Sequence, residues 1–342
     1  MGNKNEDLFK NKKILVIGGT GTIGSEIVKK LLTYKPKVVR IFSNDEYSTF
    51  KMIQNLGKKS DRRFLVGDIR DKERLILAME DIDIVYHAAA LKHVPLCEYN
   101  PFEAIKTNVL GTQNVIEAAL NNGVSKVINI STDKAINPIN TMGATKLLAE
   151  KLVIDANEYK GLRKTLFSSV RFGNVLFSRG SVIPLFEQQI KQNKTITITN
   201  PNMTRFVMSN ENTIDLILKA TLMAKGGEIF ILKMPVVKLG DLADIIIEEY
   251  CKKFHYKKDE IEKKIIGLRA GEKMFEELMT ETEAALAYET DEMLIIPPQL
   301  ELKNIKFELK DYKDARYSKL NRYISKDVKP LSKKEIKKIV FN

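Results

Sequence analysis

A chain of 342 residues, 44% apolar and 29% charged, has room for one large or two modest globular domains and is neither disordered nor fibrous. Two cysteines, Cys97 and Cys251, exclude a disulfide framework and a paired-cysteine zinc site, and His87, His93 and His255 lack metal-ligand spacing. The net charge is +12, and 13 basic against 6 acidic residues fall between Leu300 and Asn342, so more than half of the excess sits at one end.

The first residues, MGNKNEDLFKNKK, lack the apolar stretch of a signal peptide, and Glu6 breaks the myristoylation pattern. No apolar run approaches the roughly 18 residues of a membrane span. A cytoplasmic location is expected. Short apolar runs then alternate with mixed helical segments. Lys13–Ile17, Val38–Phe42, Phe64–Val66, Ile82–His87, Lys126–Ile130 and Leu166–Val170 read as strands. Strands apolar on both faces and separated by helices predict a doubly wound parallel α/β sheet. After Arg171 the rhythm changes. Ser181–Asn193, Asn210–Ala224 and Gly240–Phe254 read as helices, and Thr195–Thr199 and Glu228–Leu232 as strands. A smaller α+β lobe, interleaved with the first domain, is expected. The proposed division is 11–173 plus 205–233 for a Rossmann-like domain, 174–204 plus 234–298 for the lobe, and 299–342 for a basic extension. The charge of that extension suits a nucleic-acid or membrane patch, a solvated surface, or attraction of an anionic substrate. No RNP, zinc-finger or helix-turn-helix pattern accompanies it, so the solvated surface is the favoured reading.

The first strand runs into Gly18-Gly19-Thr20-Gly21-Thr22-Ile23-Gly24 and then a helix. Glycines at 18, 21 and 24 permit a tight turn and close approach of backbone N–H groups to a pyrophosphate, aided by the helix dipole. Asp45 follows Gly24 by 21 residues, where an acidic side chain binds an adenosine ribose. Asn44 rather than Arg in that loop favours NAD over NADP, with Arg40 the nearest alternative phosphate ligand. Asp68 is placed either for an adenine amino group or for a helix N-cap. Thr132-Asp133-Lys134 follows the fifth strand, at the carboxyl edge where substrates bind, and Met142-Gly143-Ala144-Thr145-Lys146 lies just beyond. Asp133 and Lys134 offer an acid beside a base, or else merely pair with each other.

These motifs, with His87–Ala90, Asn108, Leu91–Pro95, Arg171–Val175, Ser178–Ser181, Met203–Phe206 and Leu268–Lys273, resemble the extended short-chain dehydrogenase/reductases. More narrowly they resemble the nucleotide-sugar 4,6-dehydratases acting on UDP-N-acetylglucosamine, over roughly Asn11 to Pro298. The resemblance implies a cofactor held by Gly18, Thr20, Gly21, Thr22, Ile23, Gly24, Asn44, Asp45, Asp68, Ile69, Ala88, Ala89, Ala90, Asn108 and Lys146. It implies a UDP-sugar touched by Lys92, Asn174, Ser181, Arg205 and Glu272, with Arg179 and Arg269 on the diphosphate. It makes Lys134 the base at sugar C5, Asp133 the acid at C6, and Thr132 with Asp133 the handlers of the C4 hydroxyl. Met142 stands where the superfamily carries Tyr. A thioether exchanges no proton, and the resemblance assigns the position to a Met-bearing branch. A homo-oligomer, dimer or hexamer, is expected, with no nucleic acid and no metal. The rival functions are a C4 epimerase or reductase and a non-catalytic dinucleotide sensor.

Overall fold

A computed structural model describes residues 7–178, 180–298 and 307–341. The six expected strands form as β1 (Lys13–Ile17), β2 (Val38–Ser43), β3 (Arg62–Val66), β4 (Ile84–His87), β5 (Lys126–Ile130) and β6 (Leu166–Arg171). The second half adds β7 (Asn174–Val175), β8 (Thr195–Ile198), β9 (Thr204–Met208), β10 (Ile229–Leu232) and β11 (Val236–Lys238). It continues with β12 (Glu262–Ile265), β13 (Glu277–Met279), β14 (Tyr288–Glu289), β15 (Met293–Ile296), β16 (Arg316–Tyr317) and β17 (Tyr323–Ile324). The main helices are α1 (Thr22–Thr33), α2 (Glu46–Leu56), α3 (Lys72–Met79), α4 (Gly111–Asn121), α5 (Thr141–Tyr159), α6 (Val182–Asn193), α7 (Asn210–Met223), α8 (Leu239–Phe254) and α9 (Lys333–Phe341).

The central sheet runs β3-β2-β1-β4-β5-β6-β10 in parallel, the doubly wound arrangement expected from the sequence. Alternate residues of each strand serve opposite cores. Ile14, Val16, Ile84 and Ile128 pack on one face with Ile27 and Leu31 of α1 and Ile214 and Ile217 of α7. Leu15, Ile17, Val85 and Val127 pack on the other with Val115 of α4 and Val153 of α5. Successive strand residues point to opposite faces, so a strand covered by helices on both sides must be apolar throughout.

Two segments lie elsewhere than expected. Residues 288–296 fall within the expected lobe, yet β15 pairs antiparallel with β10, and β14 and β16 extend the same sheet. The MLII of β15 is buried throughout, so it suits the open edge beside β10. Conversely, β9 was placed in the cofactor domain, but it pairs with β11 and β7 in a separate three-stranded sheet.

The lobe has its own core. Ile183, Phe186 and Ile190 of α6 meet Ile196 and Ile198 of β8 and Leu242, Ile246 and Cys251 of α8. Ile336 and Val340 of α9 complete it. The described part of the basic extension is therefore folded onto the body rather than solvated along its length. Tyr312 donates to the buried Glu228, 2.8 Å away, and β17 pairs with β13. Its charge suggests a solvated surface because lysines on the outer faces of α9 and its loops outnumber a few apolar anchors such as Ile336 and Val340. Among the described residues no helix is long and apolar enough to cross a membrane.

Candidate active site

The glycine-rich turn forms a close-packed cradle at the carboxyl end of β1. Gly18 takes φ +75°, and a Cβ there would lie 2.7 Å from the Ala89 nitrogen. A Cβ on Gly24 would stand 2.2 Å from the Gly18 carbonyl oxygen, so α1 and the turn touch backbone to backbone. Gly21 precedes the helix and makes no side-chain cap. The first N–H groups of α1, led by Thr22 and Ile23, therefore present a helix N-terminus suited to an anion. The backbone of Ala88 and Ala89, at the neighbouring strand end, leaves no room for a side chain at Gly18. These residues fit a dinucleotide pyrophosphate.

The adenosine end differs from expectation in detail. Asp45 caps α2, its carboxylate accepting from the Ser48 N–H at 2.9 Å and the Ser48 hydroxyl at 2.5 Å. Asp68 is paired with Arg70 at 2.8 Å and accepts from Asn44 at 3.4 Å. The Arg70 hydrogen bond, ahead of burial, decides its state and holds its carboxyl below the usual range. Arg40 turns away to donate to the carbonyls of Ala78 and Glu80. Thr20 bonds Ser43 at 2.7 Å, and Ile69 is buried in the core, so its side chain packs rather than binds. Asn108 is also occupied. Its amide brackets the backbone N–H and carbonyl of Leu91 and donates to Thr145 at 3.0 Å, fastening the loop after β4 to α5. It sits in Ile105–Leu110, a stretch of widened helix that turns this side chain inward.

The reacting centre lies just past β5. Asp133 is buried, and Lys134 Nζ lies 3.0 Å from its Oδ1. Thr132 donates its hydroxyl to the same oxygen at 2.7 Å. Oε1 of Glu276, also buried, lies 3.1 Å from the same ammonium and within hydrogen-bond reach of Asp133. Burial opposes the charge of Asp133, but Lys134 and the hydrogen bonds around it outweigh burial and hold the carboxyl down. Burial and the charge of Asp133 push Glu276 up. Burial also opposes the charge of Lys134, but Asp133 and Glu276 prevail and hold it above the ordinary lysine range. The expected base thus rests as an ammonium beside two carboxylates.

Glu276 was missed by the sequence reading, which stopped at Glu272 and Lys273. An acidic pair, Glu276-Glu277, follows that segment. Which of the two turns inward is decided by the extended backbone leading into β13, where neighbours face opposite ways. Glu277 accepts from Asn137 on the outside.

The N-terminal turn of α5 is pinned by Asn140, whose side chain accepts from Gly143 N–H at 2.7 Å and donates to the Gly271 carbonyl at 2.9 Å. Lys146 is buried and donates to the Ile130 carbonyl at 2.7 Å. Burial lowers it to about 8, with Glu150 opposing. Nearby His87 is buried, its Nε2 paired with Thr112 at 3.0 Å, and burial keeps it neutral with a pKa lowered to about 3. Met142 takes no part in this polar array. It is 3% exposed and packs with Cys97, Ala104 and Val94, so its place in the structure is one of packing. Met142→Leu should therefore leave turnover near that of the parent, because a buried Leu–Met exchange keeps volume and costs under about 1.5 kcal/mol. Lys146→Ala should remove most turnover. Steady-state assays of the two purified variants decide it, and equal losses would put Met142 back into the chemistry.

Most residues expected to touch a sugar nucleotide gather on one cavity of about 250 Å³ beside this cluster. Asn174, Ser181, Arg205, Arg269 and Glu272 all line it. Glu272 accepts from the Arg269 backbone N–H at 3.2 Å. Arg205 is only partly available. Its guanidinium donates to the carbonyls of Thr204 at 2.8 Å and Lys273 at 2.9 Å, and its Nε lies 3.4 Å from Glu276. It braces the segment carrying Glu276 rather than presenting a free fork to a diphosphate. Lys92 is exposed on the loop after β4, outside the cavity lining. Arg179 lies outside the described residues. A second cavity of about 360 Å³, lined by Val109, Leu148, Leu152, Ile229 and Pro297, contains no residue of the reacting centre.

The sequence of residues 14–298 matches the family described as polysaccharide biosynthesis protein. The chain belongs to that family. The chain is 46% identical over 297 residues to a UDP-N-acetylglucosamine 4,6-dehydratase (inverting) of Campylobacter jejuni, covering 86% of this chain and 85% of the relative. It is also 41% identical over 340 residues to a UDP-glucose 4-epimerase of Rickettsia bellii, covering 98% and 97%. The crystal structure of Pen from Bacillus thuringiensis superposes with a TM-score of 0.89 at 48% identity, covering 98% of each chain. The family member described here is thus an extended short-chain dehydrogenase/reductase of the nucleotide-sugar type.

Proposed function

We propose that this protein is a UDP-N-acetylglucosamine 4,6-dehydratase, a hydro-lyase that leaves a 4-keto-6-deoxy sugar for surface-glycan assembly, and that it works in the cytoplasm. The observation that carries the reading is the Thr132–Asp133–Lys134 array, a buried acid beside a partly exposed base, linked through Glu276 to Asn174 and Arg205 of the cavity lining. An epimerase needs a single proton carrier at C4 and has no use for a second at C5 and C6. That weighs against the epimerase reading, which the Rickettsia relative's name supports.

NAD is the proposed cofactor, since Arg40 is turned away from the adenosine end and Asn44 replaces an Arg there. A bound NAD supplies the hydride acceptor for sugar C4 and the donor for C6. Proton handling falls to the chain. Thr132 passes the C4 hydroxyl proton to Asp133 across their 2.7 Å hydrogen bond. The resulting 4-ketone acidifies C5–H, Lys134 removes that proton as an amine, and Asp133 protonates the departing C6 oxygen to give water. Lys134 then returns a proton to C5. Lys146 orients the nicotinamide ribose, and Arg269 neutralises the UDP diphosphate.

Substrate carrying deuterium at C4 should yield product with deuterium at C6 and no 6-hydroxyl, as read by proton NMR. Unlabelled substrate in D2O should gain solvent deuterium at C5. Label returned to C4 with the 6-hydroxyl kept would mean an epimerase, and an unaltered substrate spectrum would leave only a dinucleotide-binding role.

A further inference from the structure

A lysine that takes the C5 proton must first give up its own. Asp133 is not free to receive it, because it holds the proton from the C4 hydroxyl until the C6 oxygen leaves. Resting on the dehydratase reading, we propose that Glu276 receives the ammonium proton of Lys134 and holds it while the free amine works at C5. It is a positioning residue acting through Lys134, not a group that touches the sugar.

Three observations carry this. Glu276 Oε1 lies 3.1 Å from Lys134 Nζ, which is also bonded to Asp133, and the two carboxyls are within hydrogen-bond reach of each other. The carboxylate is fixed, with Asn174 donating to Oε2 at 3.3 Å and Arg205 Nε 3.4 Å from Oε1. Its backbone N–H is tied to the fully buried Ser325 at 2.9 Å, and its side chain is 6% exposed, so solvent does not substitute for it. The charged groups facing it are Asp133 and Lys134 from the loop after β5, Arg205 from β9, and Lys273 from its own segment. Burial and Asp133 raise its proton affinity, against Lys134 and Arg205, and the rise prevails. A carboxylate with raised proton affinity is better matched to an ammonium donor than an ordinary one.

The protons balance. The Lys134 N–H bond breaks and a Glu276 O–H bond forms. The amine takes the C5 proton, and Asp133 gives the former C4 hydroxyl proton to the C6 oxygen, which leaves as water. Lys134 then reprotonates C5 and recovers its proton from Glu276. The centre ends as it began, and the only proton lost is the one carried off in the water.

Glu276 must start each cycle as a carboxylate. In the parent enzyme kcat should fall as pH drops through its raised pKa, giving an acidic limb above the ordinary carboxyl range. Glu276→Gln keeps the shape but accepts no proton. It should lower kcat on UDP-N-acetylglucosamine about 10²-fold, abolish that limb, and slow deuterium entry at C5 in step with water loss. KM and calorimetric UDP binding should stay close to the parent's, which also shows that the variant folds. Glu276→Asp should restore part of kcat and an acidic limb. Near-parental kcat in Glu276→Gln, or a lowered kcat with the same limb, would overturn the inference and leave the dehydratase reading standing. A parent product that keeps its 6-hydroxyl would overturn both.

Discussion

Lys134→Ala and Asp133→Asn should each lower turnover by at least about 10²-fold, the usual contribution of a positioned acid or base. The two losses have different origins. Alanine at 134 removes the only side chain placed to move the C5 proton in the proposed cycle. Asparagine at 133 keeps the hydrogen bond from Thr132 but can neither store the C4 hydroxyl proton nor release it to the C6 oxygen. Both fall mainly on kcat, because in the proposed cycle these residues move protons in the chemical steps while other residues hold the nucleotide. Folding should survive. Without the Lys134 cation, Asp133 and Glu276 are two buried carboxyls that can share one proton. Initial rates and circular dichroism spectra of both variants provide the check, and near-parental turnover in either would remove that residue from its assigned role.

Arg171→Met should destabilise the protein by about 3–5 kcal/mol, the cost of leaving buried charges without their partner. Arg171 is 1% exposed at the end of β6. Its guanidinium donates to Glu150 of α5 at 2.5 Å, to Glu283 at 3.0 Å and to the Leu278 carbonyl at 2.8 Å. This one side chain joins the helix carrying Lys146 to the segment just after Glu276. Replacing Glu150 and Glu283 with apolar residues in the same chain should recover much of the loss, because no uncompensated charge then remains. Denaturant unfolding of the single and triple variants would show it. A single variant as stable as the parent would mean that water reaches the two glutamates.

The parallel half of the fold and the position of the Thr132–Lys134 loop were legible in the sequence for identifiable reasons. KILVI followed by three spaced glycines is a local pattern, and both its strand and its tight turn are dictated by residues a few positions apart. The runs that became β4, β5 and β6 were legible in the same way, since burial on both faces leaves an uninterrupted apolar stretch. Thr132, Asp133 and Lys134 were legible because they are adjacent in the chain and follow such a strand. Position 142 was legible only as an anomaly. That its thioether packs against Cys97 and Ala104 depends on residues some 40 positions away.

What the tertiary structure decided is long-range pairing, which no local pattern encodes. Glu276 reaches Lys134 across 142 positions. Arg205 reads from sequence as a diphosphate ligand, yet its donors go to backbone carbonyls of the 273–274 segment, which folds beside it. Asp45 reads as a ribose ligand, yet it caps the helix that begins one residue later. The basic extension reads as solvated, yet Ser325 holds the backbone of Glu276 and α9 closes the lobe's core. The sequence by itself determined the parallel sheet, the tight glycine turn and the placing of Thr132, Asp133 and Lys134 after β5, because spacing along the chain sets their geometry. Only the fold decided the charge state of Lys134, because that depends on which distant carboxylates are buried against it.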